Sequence, residues 1–346
     1  MGQDYRVALI AIASNEGAYL AQFVFHHLRM GFGPIILITN NSEDDTAAMA
    51  ARMAERLPEV YHLDGDPLRV GEQGSKNFQN RAYQTAFAWL GHRSIKPDYI
   101  MLIDVDEFWV PLNGATDVSH YIRCCSEPDA MLFNWVAPFD DTIPFAQPFN
   151  SSFKSVPQAN IKSFWRYGIK ITGLNAHIVY SPDIKTDHVA SGSELFETRY
   201  KTIVAPVHPG DAMVVHQMYR SMVEYVAILL RGRPSLNATF KDNRWGYRHN
   251  LNERSVVVIL LPESHGASWQ AEFPAWVEVL GLTEMLVQSR VKVLERATRA
   301  LALYESLSEE ERAPYANAFR FVDFDAVRAE IAGLLADPKG RIAQIP

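Results

Sequence analysis

Residues 99–109 read YIMLIDVDEFW, an apolar run that ends in Asp104, Asp106 and Glu107. A short apolar run closed by a polar cluster reads as a strand buried on both faces, as in a parallel sheet. Earlier runs share this character: Arg6–Ala13, Pro34–Thr39 and the shorter Val60–Leu63. Helical patterns separate them, over Glu16–Met30, from Thr46 to about Leu57, and over Asn77–Leu90. Ser14 or Asn15 is placed to cap the first helix, and Gly31, Gly33 and Pro34 end it. Strand–helix alternation predicts an α/β fold with a mostly parallel, Rossmann-like sheet flanked by helices and joined by right-handed crossovers. In such sheets ligands bind beyond the carboxyl ends of the strands. Two carboxylates one residue apart, such as Asp104 and Asp106, can converge there on a hard cation, Mn2+ or Mg2+. A cation so held neutralises a diphosphate as it departs.

The first strand is not followed by GxGxxG, and no GxxxxGK[ST] loop occurs, so neither dinucleotide nor P-loop chemistry is expected. A net charge of −7 argues against nucleic acid as a partner. Cys124 and Cys125 are adjacent and are the only cysteines, which fits a reducing cytoplasm better than a disulfide framework. The N-terminal apolar run is too short and too poorly flanked for a secretion signal, and no stretch approaches the ~20 apolar residues of a membrane span. Ala130–Phe139 reads as a further strand. Asp140 to about His216 is rich in Pro, Ser, Phe and Asn and reads as short strands and long loops. Helical patterns return at Met222–Leu230, Trp269–Arg296 and Asp325–Leu335.

Four motifs then occur in a fixed order. Asn15-Glu16…Leu20…Phe23…His26-His27…Gly31 is the first, and Asn40-Asn41-Ser42-Glu43-Asp44-Asp45-Thr46 the second. The third is Asp104-Val105-Asp106-Glu107-Phe108, and the fourth His216…Tyr219-Arg220-Ser221…Glu224-Tyr225…Arg231-Gly232. Together they resemble the GT-A glycosyltransferases, in particular the family-2-like group and its family-92 relatives, over residues 7–232. The resemblance implies a GT-A domain over residues 1–235, with a nucleotide-binding half (1–110) and an acceptor-side half (111–235). The resemblance does not extend over the C-terminal region, 236–346, which reads as mainly helical.

It also implies roles. The turn Ala13-Ser14-Asn15 would meet the uracil ring of a UDP-sugar, and Asn41 and Ser42 would lie near base and ribose. The family often has Asp where this chain has Asn41. Asp106 would be the principal metal ligand, with Asp104 on the metal or the ribose hydroxyls. Glu107 would face the opposite side if the strand continued. His216 is either a core histidine after Met213-Val214-Val215 or the third metal ligand, since a neutral imidazole completes a carboxylate-based manganese site. Lys76, Arg81, Lys162 and Arg220 are cations for the diphosphate, Arg220 standing where the family usually has Lys. Arg231-Gly232-Arg233 closes over the phosphates or ends a helix. Asp44 reads as a helix cap.

An inverting transferase needs a base for the acceptor hydroxyl. Where the family has FGSSG, this chain has Phe139-Asp140-Asp141-Thr142-Ile143. That makes Asp141 the first candidate and Asp140 the second, against a surface turn, with Asp187 and His188 outside them. Among the crowded aromatics, Trp135 and Trp165 are the candidates for an acceptor site, though most such rings serve the core. In the C-terminal region Gln288–Arg299 is basic enough to lie on a membrane, while core packing or a homodimer is the default.

The sequence thus predicts a metal-dependent glycosyltransferase in the cytoplasm, with peripheral attachment at the inner membrane face left open. It would move a hexose such as galactose or glucose, or an N-acetylhexosamine, from UDP to a glycan or lipid-linked glycan, as in polysaccharide assembly. The alternatives are a non-catalytic carbohydrate- or nucleotide-binding protein on the same scaffold, and a metal-dependent nucleotidyltransferase or phosphohydrolase.

Overall fold

Successive residues of the first strand divide between two hydrophobic layers. Val7, Leu9, Ala11 and Ala13 enter one core, and Ala8 and Ile10 enter another, because side chains alternate across a strand. The structure is a computed structural model. It describes residues 4–69, 77–139, 142–148, 152–192, 195–197, 202–204, 209–230, 239–249, 256–261 and 267–336.

Strands β1 (Val7–Ala13), β2 (Ile35–Thr39), β3 (Val60–Asp64) and β4 (Tyr99–Leu102) form the parallel part of the sheet. Helices α1 (Leu20–Arg29) and α2 (Thr46–Arg56) cover one face, and α3 (Phe78–His92) covers the other. These elements follow the sequence pattern to within about four residues, but α1 opens at Tyr19, with no side-chain cap, and not at Ser14 or Asn15. After a turn at 103–106 come β5 (Glu107–Pro111), α4 (Val118–Cys124) and β6 (Ala130–Pro138). The region read as short strands and loops instead opens with the longest strand described, β7 (Ser152–Arg166). Its run SFWR at 163–166 pairs with β4 and β6, so it is a central strand. Pro157 and the polar residues of its first half hid that strand from the pattern. Short strands β8 (Gly173–Leu174), β9 (Val179–Tyr180), β10 (Asp187–Val189), β11 (Leu195–Glu197) and β12 (Thr202–Val204) follow, then β13 (Ala212–His216).

Helix α5 (Met222–Leu229) starts at a capping box of Ser221 and Glu224. Strand β14 (Val257–Leu260) pairs with β7. The expected helix 269–296 is two helices, α6 (Ala267–Val279) and α7 (Thr283–Ser306), parted at Gly281, whose φ is +68°. A short α8 (Glu309–Arg312) and α9 (Phe324–Leu335) complete the described chain. Residues of α5, α6, α7 and α9 share the core cluster that contains α1 and α2.

The main sheet runs β3-β2-β1-β4-β7-β6-β13-β5. It is mixed: β7 is antiparallel to both β4 and β6, and β13 is parallel to β6. Strands β4, β6 and β13 therefore share a direction, and their carboxyl ends lie at one edge. Strand β5 stands at the far end of that order, yet only residues 103–106 separate it from β4. The sheet must curl for so short a turn to span it, and the acidic residues sit on that turn. Among the described residues no helix is long and apolar enough to cross a membrane.

Candidate functional site

The turn after β4 does not continue as a strand, and Glu107 therefore does not simply face away. It is the first residue of β5 and is fully buried. Its Oε2 accepts the backbone N–H of Asp104 at 2.9 Å and lies 3.0 Å from Lys162 Nζ. The same ammonium lies 3.0 Å from Asp104 Oδ2. Lys162 belongs to β7 and is itself wholly buried, so it lies beneath the acidic turn and not on an open phosphate-facing surface. Burial opposes its charge, but Asp104 and Glu107 hold it protonated. Burial pushes Glu107 up to about 7 against the pull of Lys162. The two donors converging on its Oε2 favour the ionised form.

Asp104 leaves 44% of its side chain exposed above this clamp, and Asp106 leaves 23%. Strand pairing supplies the third group, because His216 stands opposite Glu107 in the β13–β5 ladder. His216 Nε2 lies 3.5 Å from Asp106 Oδ2, and its ring lies 4.2 Å from that of Trp135. His216 Nδ1 is buried and has no hydrogen-bond partner among the described residues. Burial would raise the Asp106 carboxyl, but His216 beside it, with Arg220 and Arg244, holds it well below the usual carboxylate range. The backbone N–H of Gln217 donates to the Asp106 carbonyl at 2.8 Å, which ties β13 to the turn. Two carboxylates and an imidazole form a donor set that manganese accepts.

Arg220 is buried, with a left-handed backbone at φ +52°. Its guanidinium covers the Tyr19 ring at 3.3 Å and reaches Glu16 at 3.8 Å. It thus bridges the fourth motif to the first. Glu224, by contrast, is consumed locally: Oε2 accepts the Ser221 hydroxyl at 2.7 Å and the N–H of Phe145 at 3.2 Å.

The loops after β1 and β2 are joined to each other. Asn15, at φ +55°, accepts the Glu43 N–H at 2.8 Å and donates its own N–H to Ser42 Oγ at 3.1 Å. Ser14 Oγ donates to the Asn41 carbonyl at 3.3 Å. Asn41, at φ +42°, donates its N–H to Asp66 at 2.6 Å. Asp44 accepts the N–H groups of Thr46 and Gly17, so it secures α2 and the start of α1, as a cap would. A cleft of about 520 Å3 opens beside these loops, lined by Asn15, Asn41, Glu43, Leu230, Arg296 and Arg299. The two arginines belong to α7, where sequence reading saw only a basic stretch. Nothing local in their pattern tells which element α7 docks against.

The two histidines of the first motif are core residues. His26 Nε2 meets the Trp109 carbonyl at 2.8 Å, and His27 Nδ1 meets that of Phe23 at 2.9 Å. Burial lowers the His27 pKa to about 3, so the ring is neutral. Trp165 is buried in the layer shared with α3, and Arg81 is exposed on α3. His188 lies near the amino end of β6, away from the acidic turn. Asp140, Asp141, Lys76 and Arg231-Gly232-Arg233 lie outside the described residues.

No family model and no curated protein matches this chain. Among solved structures it is similar to the mannosyltransferase PcManGT from Pyrobaculum calidifontis, in complex with GDP-Man and Mn2+. That likeness covers 98% of this chain and 88% of that one, at 12% identity and a TM-score of 0.33. It is similar to S. aureus TarS 1–349 over 98% of this chain and 88% of that chain, at 12% identity and a TM-score of 0.32. A further S. aureus TarS structure is similar over 92% of this chain and 54% of that chain, at 12% identity and a TM-score of 0.31.

Proposed function

We propose that the protein is a metal-dependent glycosyltransferase of the GT-A kind, moving a sugar from a UDP-sugar to a hydroxyl of a glycan or lipid-linked glycan. The observation that carries this reading is the approach of His216, at the end of β13, to within 3.5 Å of Asp106 on the turn after β4. It places an imidazole and two carboxylates at the carboxyl edge of the strands, where α/β sheets bind ligands. The order of the four sequence motifs supports it independently.

Asp106, Asp104 and His216 would hold Mn2+ or Mg2+, which when bound neutralises the diphosphate of the departing UDP. Lys162 and Glu107 keep the turn in place from below, so Asp104 is presented at little reorganisation cost. Arg220 adds a fixed positive charge beside Asp106. The Ala13–Asn15 turn with Asn41 and Ser42 would receive uracil and ribose. Asp141, or Asp140 next to it, would take the proton of the acceptor hydroxyl in an inverting displacement. A hexose or N-acetylhexosamine is the donor sugar that the family resemblance favours.

Calorimetric titration of UDP with and without manganese, on wild type and Asp106→Ala, tests the donor site. The expected result is manganese-dependent binding that the variant loses while its circular dichroism is unchanged. Absence of UDP binding with and without manganese would overturn the uridine assignment, and metal-independent binding retained in Asp106→Ala would overturn the metal role.

A further inference from the structure

At the opposite edge of the sheet three side chains of different elements meet. Cys125 is the residue that closes α4, His188 lies on β10, and Asp211 immediately precedes β13. One ligand atom from each lies within 4.8 Å of the other two. Five residues of β13 separate Asp211 from the His216 end, about 16 Å of strand. The cluster is therefore separate from the acidic turn, and it stands or falls independently of the function proposed above.

The arrangement is built. Gly210 has φ +84°, and a Cβ there would overlap the Ala190 carbonyl. Only glycine allows the chain to approach β10 so closely. Asp211 N–H then donates to that same carbonyl at 3.0 Å. This close approach brings Asp211 Oδ2 to 2.9 Å from His188 Nε2. The other carboxylate oxygen accepts the hydroxyl of Tyr121 at 2.6 Å, and the Tyr121 ring is fully buried. A carboxylate with one oxygen fixed by a buried phenol and the other facing an imidazole and a thiol is a typical outer-shell design for a metal ligand. The thiol, imidazole and carboxylate are each half-buried, so a cation can enter.

We propose that Cys125, His188 and Asp211 form a second metal centre, for a borderline-soft divalent cation of the zinc class. Sulfur, nitrogen and oxygen donors in threes select zinc over the hard cations that suit a carboxylate pair. Tetrahedral zinc with bonds of about 2.0–2.3 Å needs ligand atoms about 3.3–3.8 Å apart; here His188 Nε2 and Asp211 Oδ2 stand 2.9 Å apart within a cluster whose ligand atoms all lie within 4.8 Å of one another. A water would supply the fourth ligand. Such a centre would join α4, β10 and the entry to β13.

Cobalt is the probe, because a thiolate bound to Co2+ gives a charge-transfer absorption that carboxylate sites lack. Chelator-treated protein is titrated with Co2+ and then with Zn2+. The expected result is a charge-transfer band displaced by Zn2+ that saturates at one Co2+ per chain when the acidic turn is disabled by Asp106→Ala. It persists in Asp106→Ala and in Cys124→Ser, disappears in Cys125→Ser, and needs about 10-fold to 100-fold more metal in Tyr121→Phe. Absence of the band in wild type, its survival in Cys125→Ser, or its loss in Cys124→Ser would overturn the proposal. Circular dichroism of each variant separates loss of metal from loss of fold.

Discussion

Lys162 and Glu107 are both fully buried, and Lys162 Nζ stands 3.0 Å from Glu107 Oε2 directly beneath the acidic turn. Breaking a buried pair by removing one partner strands the other, at a cost of about 3–5 kcal/mol. Lys162→Met should therefore destabilise the protein by about 3 kcal/mol at pH 8 in urea unfolding. Burial already pushes Glu107 up to about 7, and without Lys162 it rises further. The variant's deficit should shrink at pH 5, where Glu107 is protonated and needs no counter-charge. A deficit independent of pH would show that the pair is not what holds the turn.

His216→Ala separates metal binding from folding. The ring packs against Trp135 and meets Asp106, and its removal should lower manganese affinity about tenfold or more. Manganese affinity is read by competition with a metal indicator, and stability by thermal melting. Unchanged affinity would return His216 to the role of a core histidine.

His27 carries a pH signature. Its folded pKa, about 3, is below the 6.5 of the unfolded chain because burial penalises the charged ring. The unfolded state therefore binds the proton first as pH falls. The stability due to the neutral ring is complete above pH 6.5 and is lost progressively from there toward pH 3. A group of this kind contributes a slope of up to about 1.4 kcal/mol per pH unit in that window. His27→Gln should flatten stability between pH 6 and pH 4 by denaturant melts, at some cost in absolute stability. An unaltered slope would assign the acid sensitivity elsewhere.

Gly210→Ala tests the close approach of β13 to β10. The substitution adds a left-handed penalty of about 1 kcal/mol to an overlap with the Ala190 backbone, for which overpacking costs about 1–3 kcal/mol. A loss of about 3 kcal/mol is expected in urea unfolding. A near-neutral variant would mean that the two strands part easily.

The strand–helix alternation of the first 110 residues was legible because buried strands and amphipathic helices follow different periods. The acidic turn was legible because an apolar run ended in carboxylates. Lys162 was visible only as a cation; that it lies under the turn depends on the pairing of β7 with β4 and β6, which no local pattern encodes. Glu107 was misplaced in orientation because a two-residue period was carried through a turn. Arg296 and Arg299 were hidden in the same way, since helix docking sets where they point. The Cys125, His188 and Asp211 cluster draws on three distant segments and leaves no spacing to read.

Strand β5 leaves the acidic turn and, among the described residues, pairs only with β13. A chain made from its amino end would hold the carboxylates of the turn ready long before His216 and its strand existed. The parallel half could close early, but β5 would wait as an unpaired apolar edge of the kind that invites misassembly. Assembly of the corner where Asp106 and His216 meet is then a late, non-local and slow event. Truncation before β13 should give a protein that aggregates, not a smaller folded one.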